Sequence, residues 1–511
     1  MRVTWLDRAI AKVSPQTAMR RVRARAAFDV ASRAYSGAAR DRNKAGWTST
    51  NASADAEIAV GGRLLRSRMR DLVRNNPHAT RAVAVWEAAL VGDGIEPRIK
   101  DARVKEAWAR WAKVCDADGQ LPFIGLEALA AREMVEAGEV LIRRRWRRRT
   151  DRIPGNMQIQ VLEADHLDTD KIGETPAGGV IVNGVEFDKI GRRVAYWLFP
   201  EHPGSNATIS RTSISSRRVP AEDVIHLYRK LRTQVRGVPW GHSVMTRLRD
   251  LDEYENAELI RKKIEACMVG VLVETGEDDV GIGIPIEGQE KVPPGVYDRD
   301  GVQVDRFEPG MFAVARGGKD IKFNQPAATG SYEAYRRASI HTIAAGFGLP
   351  FEVLSGDLSM VNYSSIRAGI VEWRRQVEQL QWQLLIPTLC DRVFAWFVEA
   401  HALDNALPAD TPRAPDAWAT PKFEWVDPLK DASAELLAMR SGIRSWDDVV
   451  ASTGRDPDEV MEEIAARAKQ FDALGLIFDS DPRQTAKNGA LQIVINAGDG
   501  SGSSDSDRDP A

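Results

Sequence analysis

One pattern constrains this chain more than any other: a polar loop followed by a long amphipathic stripe, between Ile343 and Ala400. The stretch reads IAAGFGLPFEVLSGDLSMVNYSSIRAGIVEWRRQVEQLQWQLLIPTLCDRVFAWFVEA. A first helix runs to about Gly346, where Gly-Phe-Gly-Leu-Pro breaks it. After a loop of Gly, Asp, Ser, Asn and Tyr, Ser364 or Ser365 is placed to cap a second helix by accepting backbone N–H bonds. Ile366, Ile370, Trp373, Val377, Leu380 and Leu384 then alternate four and three apart, which puts one apolar stripe on one helical face. Arg367, Glu372, Arg374, Arg375 and Glu378 fall mostly on the other side. Pro387 removes a helix hydrogen bond, yet the apolar pattern resumes to Phe397, so the proline predicts a kink rather than an end. Such a helix spans about 50 Å.

The rest of the chain is mainly helical around a small β-rich insert, an α+β pattern. RDLVRNNPHATRAVAVWEAALVGDGIEP (Arg70 to Pro97) reads as two helices, the first broken by Asn-Asn-Pro and the second ended by Gly92-Asp93-Gly94. Residues 101–118 form another, with Trp108 and Trp111 on one face. Leu121 to Ile142 reads as a further amphipathic helix running into RRRWRRRTDR, Arg143 to Arg152. Between about 155 and 235 the period becomes that of strands, with Val182-Asn183-Gly184-Val185 a good hairpin turn and Ile209 to Arg218 a mobile loop. Helical pattern returns from Gly241 to about Val269. Residues 274–300 are loop-like, and VQVDRFEPGMFAVA and IKFNQP are strand-like. A Pro/Ala/Asp-rich linker, 404–421, precedes a module of short helices from Asp431 to about Arg483. The first 50 residues make a basic arm, and the tail GDGSGSSDSDRDPA is acidic and expected to be disordered.

A chain of 511 residues holds three or four structural units. Its 43% hydrophobic and 28% charged content is that of ordinary soluble protein, and the net charge of −3 makes distribution matter more than total. Cys115, Cys267 and Cys390 are odd in number and far apart, which argues against a disulfide scaffold or a zinc site and fits a reducing compartment. No apolar run approaches a membrane span, and the N-terminus lacks the apolar core of a signal peptide.

The chemistry-bearing patterns are sparse. There is no GxxxxGK[ST] loop, and Gly281-Ile282-Gly283 lacks the strand-to-helix context of a dinucleotide site. Gly241-His242-Ser243 lacks the second glycine of a nucleophile elbow. His166 lies near Asp165, Asp168 and Asp170, donors for a divalent ion, but turn-forming acids between strands explain that cluster more simply. Glu133, Glu136 and Glu139 lie three apart and suit a solvated or subunit-facing side of a helix. No catalytic residue, cofactor site or metal site is assigned. The sharpest charge feature is Arg143, Arg144, Arg145, Arg147, Arg148 and Arg149. Arginines this dense repel one another unless compensated, either by phosphates of a nucleic acid or by acids of the same or a neighbouring chain. Both readings stay open.

Taken together, several stretches resemble the portal proteins of tailed bacteriophages, of the lambda type. They are RDLVRNNP, GEVLIR (Gly138–Arg143), LEADHLD (Leu162–Asp168), RVPAEDVIHLYR (Arg218–Arg229), RGVPW (Arg236–Trp240), RDLDEYENAELIRKK (Arg249–Lys263) and GLPFEVLSGDLSMVNYSSIRAGIVEWRR. They cover roughly residues 60–400, in the family's order.

The resemblance implies a ring-forming portal fold with wing, stem, clip, tunnel loop and crown. On that basis 1–50 is the basic arm, 51–124 the first part of the wing, 125–154 stem helix one, 155–239 the clip and 240–272 stem helix two. The second part of the wing is 273–353, the tunnel loop 354–364, the kinked wing helix 365–403, the linker 404–430, the crown 431–483 and the acidic tail 484–511. Ser355, Asp357, Ser359, Asn362, Tyr363 and Ser364 are the channel-facing loop residues, and the six arginines are candidate contacts to DNA or to another subunit.

The implied function is a dodecameric ring at one capsid vertex, the channel for packaging and ejecting double-stranded DNA without reading its sequence. The implied partners are further copies of the chain, the terminase large subunit, major capsid and scaffold proteins, and head-completion proteins, with no membrane. Assembly is expected in the host cytoplasm and residence in the virion. A channel should not grip DNA strongly, and dispersed charge with net charge near zero suits passage. The alternatives are another virion ring component, which would lack the ordered motifs, and a nucleic-acid-processing enzyme, which would need a carboxylate cluster.

Overall fold

The computed structural model describes residues 51–205, 215–267, 271–273, 295–297, 313–316, 332–359, 363–421, 423, 428–477 and 483. The basic arm, the acidic tail, most of the 209–218 loop, Gly281-Ile282-Gly283, IKFNQP and Asn362 therefore lie outside the described residues. The chain divides after Glu57 into two units, the second running from Ile58 to Ala511.

Helix α1 (Ala54–Asn75) ends where Asn76 breaks it. Asn76 then caps α2 (Pro77–Leu90), its side chain accepting from the amides of His78 and Ala79, with Pro77 at the first turn where its missing N–H costs nothing. The short strand β1 (Glu96–Arg98) leads to α3 (Ala102–Trp111), capped by Asp101, and then to α4 (Phe123–Glu136).

Here the structure departs from the sequence reading. The helix expected over 121–142 forms only over Phe123–Glu136; Glu139–Trp146 is a strand, β2, so the stretch 125–154 is helical in its first part only. Gly138, at φ 90°, closes the helix, and a Cβ there would come within 2.1 Å of the Val238 carbonyl carbon, so only glycine fits. Val140, Leu141 and Ile142 are all buried because both faces of the strand are covered, which gives an apolar run without alternation.

Strand β2 is central in an antiparallel sheet between β3 (Met157–Glu163) and a later strand. A meander follows: β4 (Gly173–Glu174), β5 (Val180–Val182), β6 (Val185–Phe187), β7 (Arg193–Leu198) and β8 (Arg217–Pro220). The expected hairpin is present, with Asn183 and Gly184 at φ 48° and 87°. Strand β9 (Val224–Tyr228) then returns to pair with β2.

Helix α5 (Met245–Cys267) is followed by β10 (Val271–Val273), β11 (Gly295–Tyr297) and β12 (Ala313–Arg316), one small sheet in the order β10-β12-β11. Helix α6 (Tyr332–Phe347) runs antiparallel to α5. A Cβ on Gly346 would meet Val244, while Tyr254 packs on Tyr332 and Tyr335 and Glu255 pairs with Arg336 at 2.8 Å.

A short α7 (Phe351–Ser355) precedes the long helix, which starts at Tyr363, so Ser364 and Ser365 lie inside its first turn rather than capping it. That helix comprises α8 (Tyr363–Leu380), a π-helical segment Gln381–Cys390 containing Pro387, and α9 (Asp391–Leu403). The proline does not end it; the widened turn accommodates the missing N–H, and Val377, Leu385, Val393 and Phe397 stay buried. The expected linker contains a strand, β13 (Ala417–Ala419), paired with β1. Helices α10 (Pro428–Arg440), α11 (Trp446–Ser452) and α12 (Pro457–Leu474) follow.

Trp108, Trp111, Phe123, Phe394 and Phe397 interlock at ring-centroid distances of 5.1–6.2 Å and tie α3, α4 and α9 into the main core. Leu141, Leu162, Tyr196, Leu198 and Val219 make a second, smaller core beneath the meander.

Candidate functional site: a loop root and a strand of arginines

The loop root is built by three turns of backbone. Helix α6 ends at Gly348, at φ 71°, and α7 ends at Gly356, at φ 72°. Phe351 and Leu354 of α7 are buried in the main core, so the loop proper starts at Gly356 rather than at the expected Leu354. The Ser355 hydroxyl accepts from the Asp357 amide at 3.1 Å. Asp357 Oδ1 accepts from the Ser359 amide at 2.9 Å and from its hydroxyl at 2.6 Å. Those two bonds, with Arg337 3.7 Å away on α6, hold the Asp357 carboxyl below its ordinary pKa. Arg337 also lies over the Phe351 ring at 5.3 Å, and His341 stacks on the same ring at 3.8 Å. Leu358 is exposed. Of the predicted loop residues, Ser355, Asp357 and Ser359 thus form one hydrogen-bonded turn, while Tyr363 and Ser364 belong to the first turn of α8.

The predicted arginines divide in two. Arg144 is buried on the helical side of β2; its Nε donates to Asp223 at 2.8 Å, its Nη1 to Glu399 of α9 at 2.7 Å, and Trp146 and Trp396 flank the guanidinium. Arg147 donates to the Gln158 side chain at 2.7 Å and to the Ala117 carbonyl at 3.2 Å, and Arg149 pairs with Asp404 at 3.1 Å. Acids and carbonyls of the same chain therefore take up Arg144, Arg147 and Arg149. Arg143 and Arg145 are half-buried and Arg148 is exposed, and none of the three pairs with an acid among the described residues. Burial first, and the charge of Arg145 second, lowers the pKa of Arg143.

Sequence reading missed the most buried polar group. Glu139 lies fully buried on β2 rather than on an exposed helix face. It accepts from Arg236 Nη2 at 2.6 Å, from His226 Nε2 at 2.9 Å and from the Gly237 amide at 2.8 Å, with Arg66 of α1 at 3.4 Å. Burial alone would raise its pKa, but Arg236 and His226 outweigh that and hold it well below the carboxylate range. Burial depresses His226 to about 4 against the pull of Glu139, so it is neutral at pH 7. Its Nδ1 faces Arg193 Nη1 at 3.0 Å, which makes Nδ1 the acceptor and Nε2 the donor. Gly138 and the apolar run Val140-Leu141-Ile142 after it were the available signal for the strand; nothing local announces Arg66, His226 or Arg236 as partners. Glu133 is half-buried, and burial, opposed by Arg70, raises it to about 7.

The acids of ADHLDTD go separate ways, as turn residues do. Asp165 pairs with Arg70 at 2.6 Å, His166 Nδ1 meets the Phe199 carbonyl at 3.1 Å, Asp168 accepts from the Ser216 hydroxyl at 2.5 Å, and Asp170 pairs with Arg63 at 2.8 Å. Glu163, Asp165 and His202 do converge, with one ligand atom from each within 4.8 Å of the others, but Arg70 already pairs with both carboxylates, at 2.8 and 2.6 Å, and Arg66 reaches Asp165 at 3.4 Å.

Residues 40–381 match the family described as phage portal protein, lambda family. Among curated relatives, the probable portal protein of Halomonas phage phiHAP-1 is 27% identical over 461 residues, covering 84% of this chain and 85% of that protein. The portal protein of Escherichia phage N15 is 22% identical, and portal protein B of Escherichia phage lambda 21%, each covering 84% of this chain and 88% of the relative. A solved chain from the neck of an empty gene transfer agent particle overlaps at a TM-score of 0.42 and 16% identity, over 78% of this chain and 95% of that one.

Proposed function

Because the chain belongs to the lambda family of phage portal proteins, structural proteins and not enzymes, we propose that it forms a dodecameric ring at one vertex of a phage-type capsid. Double-stranded DNA would enter and leave through the axial channel, driven by a terminase large subunit docked on the ring. Head-completion proteins would replace that motor once packaging ends, and major capsid and scaffold proteins would hold the ring in the vertex.

Within this reading, the observation that carries most is the antiparallel pair α5 and α6 with the sheet β10-β12-β11 between them. The family pattern sets a strand-containing clip between two stem helices. In the expected pair, 125–154 and 240–272, the first stretch is helical only to Glu136 and then turns into β2, and the strands of 155–239 are built into the core through β2. We therefore assign α5 and α6 as the stem and 268–331 as the clip that meets the motor. Helix α6 then delivers the chain to Gly356, the root of a channel-facing loop, with the long proline-containing helix behind it.

Asp357, tied down by Ser359 and Arg337, would anchor the loop while Leu358 and the residues after it face DNA. Residues 428–477 are the crown. Negative-stain images of the purified protein test the proposal. The expected result is rings with a channel about as wide as a duplex, and a protein that stays monomeric at every concentration and salt would overturn it.

A further inference from the structure

The module 428–477 contains three helices and almost no interior. Val460 is its one buried residue among the described positions. Leu429 is 80% exposed, Leu437 68%, Ile464 58% and Met461 54%. What ties the module to the rest of the chain is polar: Arg367 to Asp431 at 2.6 Å, Lys105 to Glu459, and Arg98 to the Arg455 carbonyl at 3.1 Å. Short helices are marginal without an apolar face to bury, so these helices lack part of the packing that would hold them.

The open residues are not scattered. On α10, Leu429, Ser433, Leu436 and Arg440 recur four, three and four apart, flanked by Leu437. On α12, Met461, Ala465, Ala468 and Asp472 have the same spacing, flanked by Ile464. Side chains on the first face are large apart from Ser433, and Ala465 and Ala468 at the middle of the second are small, which suits ridges of one helix entering grooves of the other. The faces also end in opposite charges. Arg440 pairs with no acid among the described residues, and the chain's own partner of Asp472 is the half-exposed Arg483 at 3.3 Å.

We propose that the α10 face of one copy packs against the α12 face of the next, so that the helical module gains its missing interior only between copies. The contact is head-to-tail: two different faces meet, and the pair keeps one face of each kind open for further neighbours. This rests on the ring reading and adds to it the surface through which the crown closes.

Cross-linking tests it in the full-length protein carrying Cys267→Ser, because the other two cysteines, Cys115 and Cys390, are buried. With Leu436→Cys and Ala468→Cys together, oxidation should give a ladder of covalent multimers on a non-reducing gel. Either single variant should give none. Bonding within one copy, or no bonding in rings seen by negative stain, would overturn the proposal while leaving the ring reading intact; a wild-type protein that forms no rings would overturn both. A charge exchange is the second measurement. Arg440→Glu should raise the concentration needed for ring assembly at least tenfold, and adding Asp472→Arg should restore it. Absence of either effect counts against the contact.

Discussion

Strand β2 and the module 428–477 invert the usual division of residues in opposite directions. In β2, Glu139 and Arg144 lie where apolar side chains are the rule; in the module, leucine, isoleucine and methionine lie where charges are the rule. The buried charges are fully answered within the chain. Glu139 has Arg236, His226 and a backbone amide, and Arg144 has Asp223 and Glu399. The apolar residues of the module stay largely open among the described residues. A buried charge without a partner costs too much to persist, whereas an exposed apolar face costs little until something offers to cover it. The first region is therefore a finished interior, and the second is a surface made for contact.

The largest expected effect is at Glu139. Glu139→Gln leaves Arg236 buried beside a neutral group and should cost about 3–5 kcal/mol in denaturant unfolding. A loss under about 1 kcal/mol would break the contrast, because the network would then be dispensable. Arg144→Gln should cost about 1.5–3 kcal/mol, since Asp223 and Glu399 reach water and recover part of the loss. A stable variant with weakened DNA retention would return Arg144 to the list of DNA contacts.

Glu127 gives a pH test of the same interior. It accepts from the Ile95 amide at 3.2 Å and lies 3.4 Å from the Cys390 sulfur, and burial raises it to about 8. Its folded value stands above its unfolded one, so the folded state holds a proton that the unfolded state has released. Stability from this group is complete below the unfolded carboxylate range and falls as pH rises toward 8. Glu127→Gln does not titrate, so its unfolding free energy should gain on wild type across that window, by at most about 1.4 kcal/mol per pH unit, and level off above it. A constant difference would mean that Glu127 is ionised throughout.

The smallest effect belongs to the module. Ile464→Glu should change the unfolding free energy of the unassembled chain by less than about 0.5 kcal/mol, because the side chain is already in water. A loss of 2 kcal/mol or more would show the face to be packed within its own chain.

What could be read without coordinates was what depends on near neighbours. The break at Asn76-Pro77, the Asn183-Gly184 hairpin, the stripe from Ile366 to Phe397 and the continuation of the helix through Pro387 all follow from propensity and period. The family was legible because its motifs keep their order along the chain. What could not be read was how distant segments answer one another. A fully covered strand loses the alternation that marks a strand, so Glu139–Trp146 looked helical. The arginine run looked like one basic patch until tertiary contacts consumed Arg144, Arg147 and Arg149 and left Arg143, Arg145 and Arg148.

The sequence by itself therefore determined the elements, their order and the family, because each is encoded in residues a few positions apart. Only the tertiary structure decided which charges are interior, which helices pair and which apolar face stays open. Those outcomes depend on groups tens to hundreds of residues apart, as Arg144 and Glu399 are, and on the low dielectric their meeting creates.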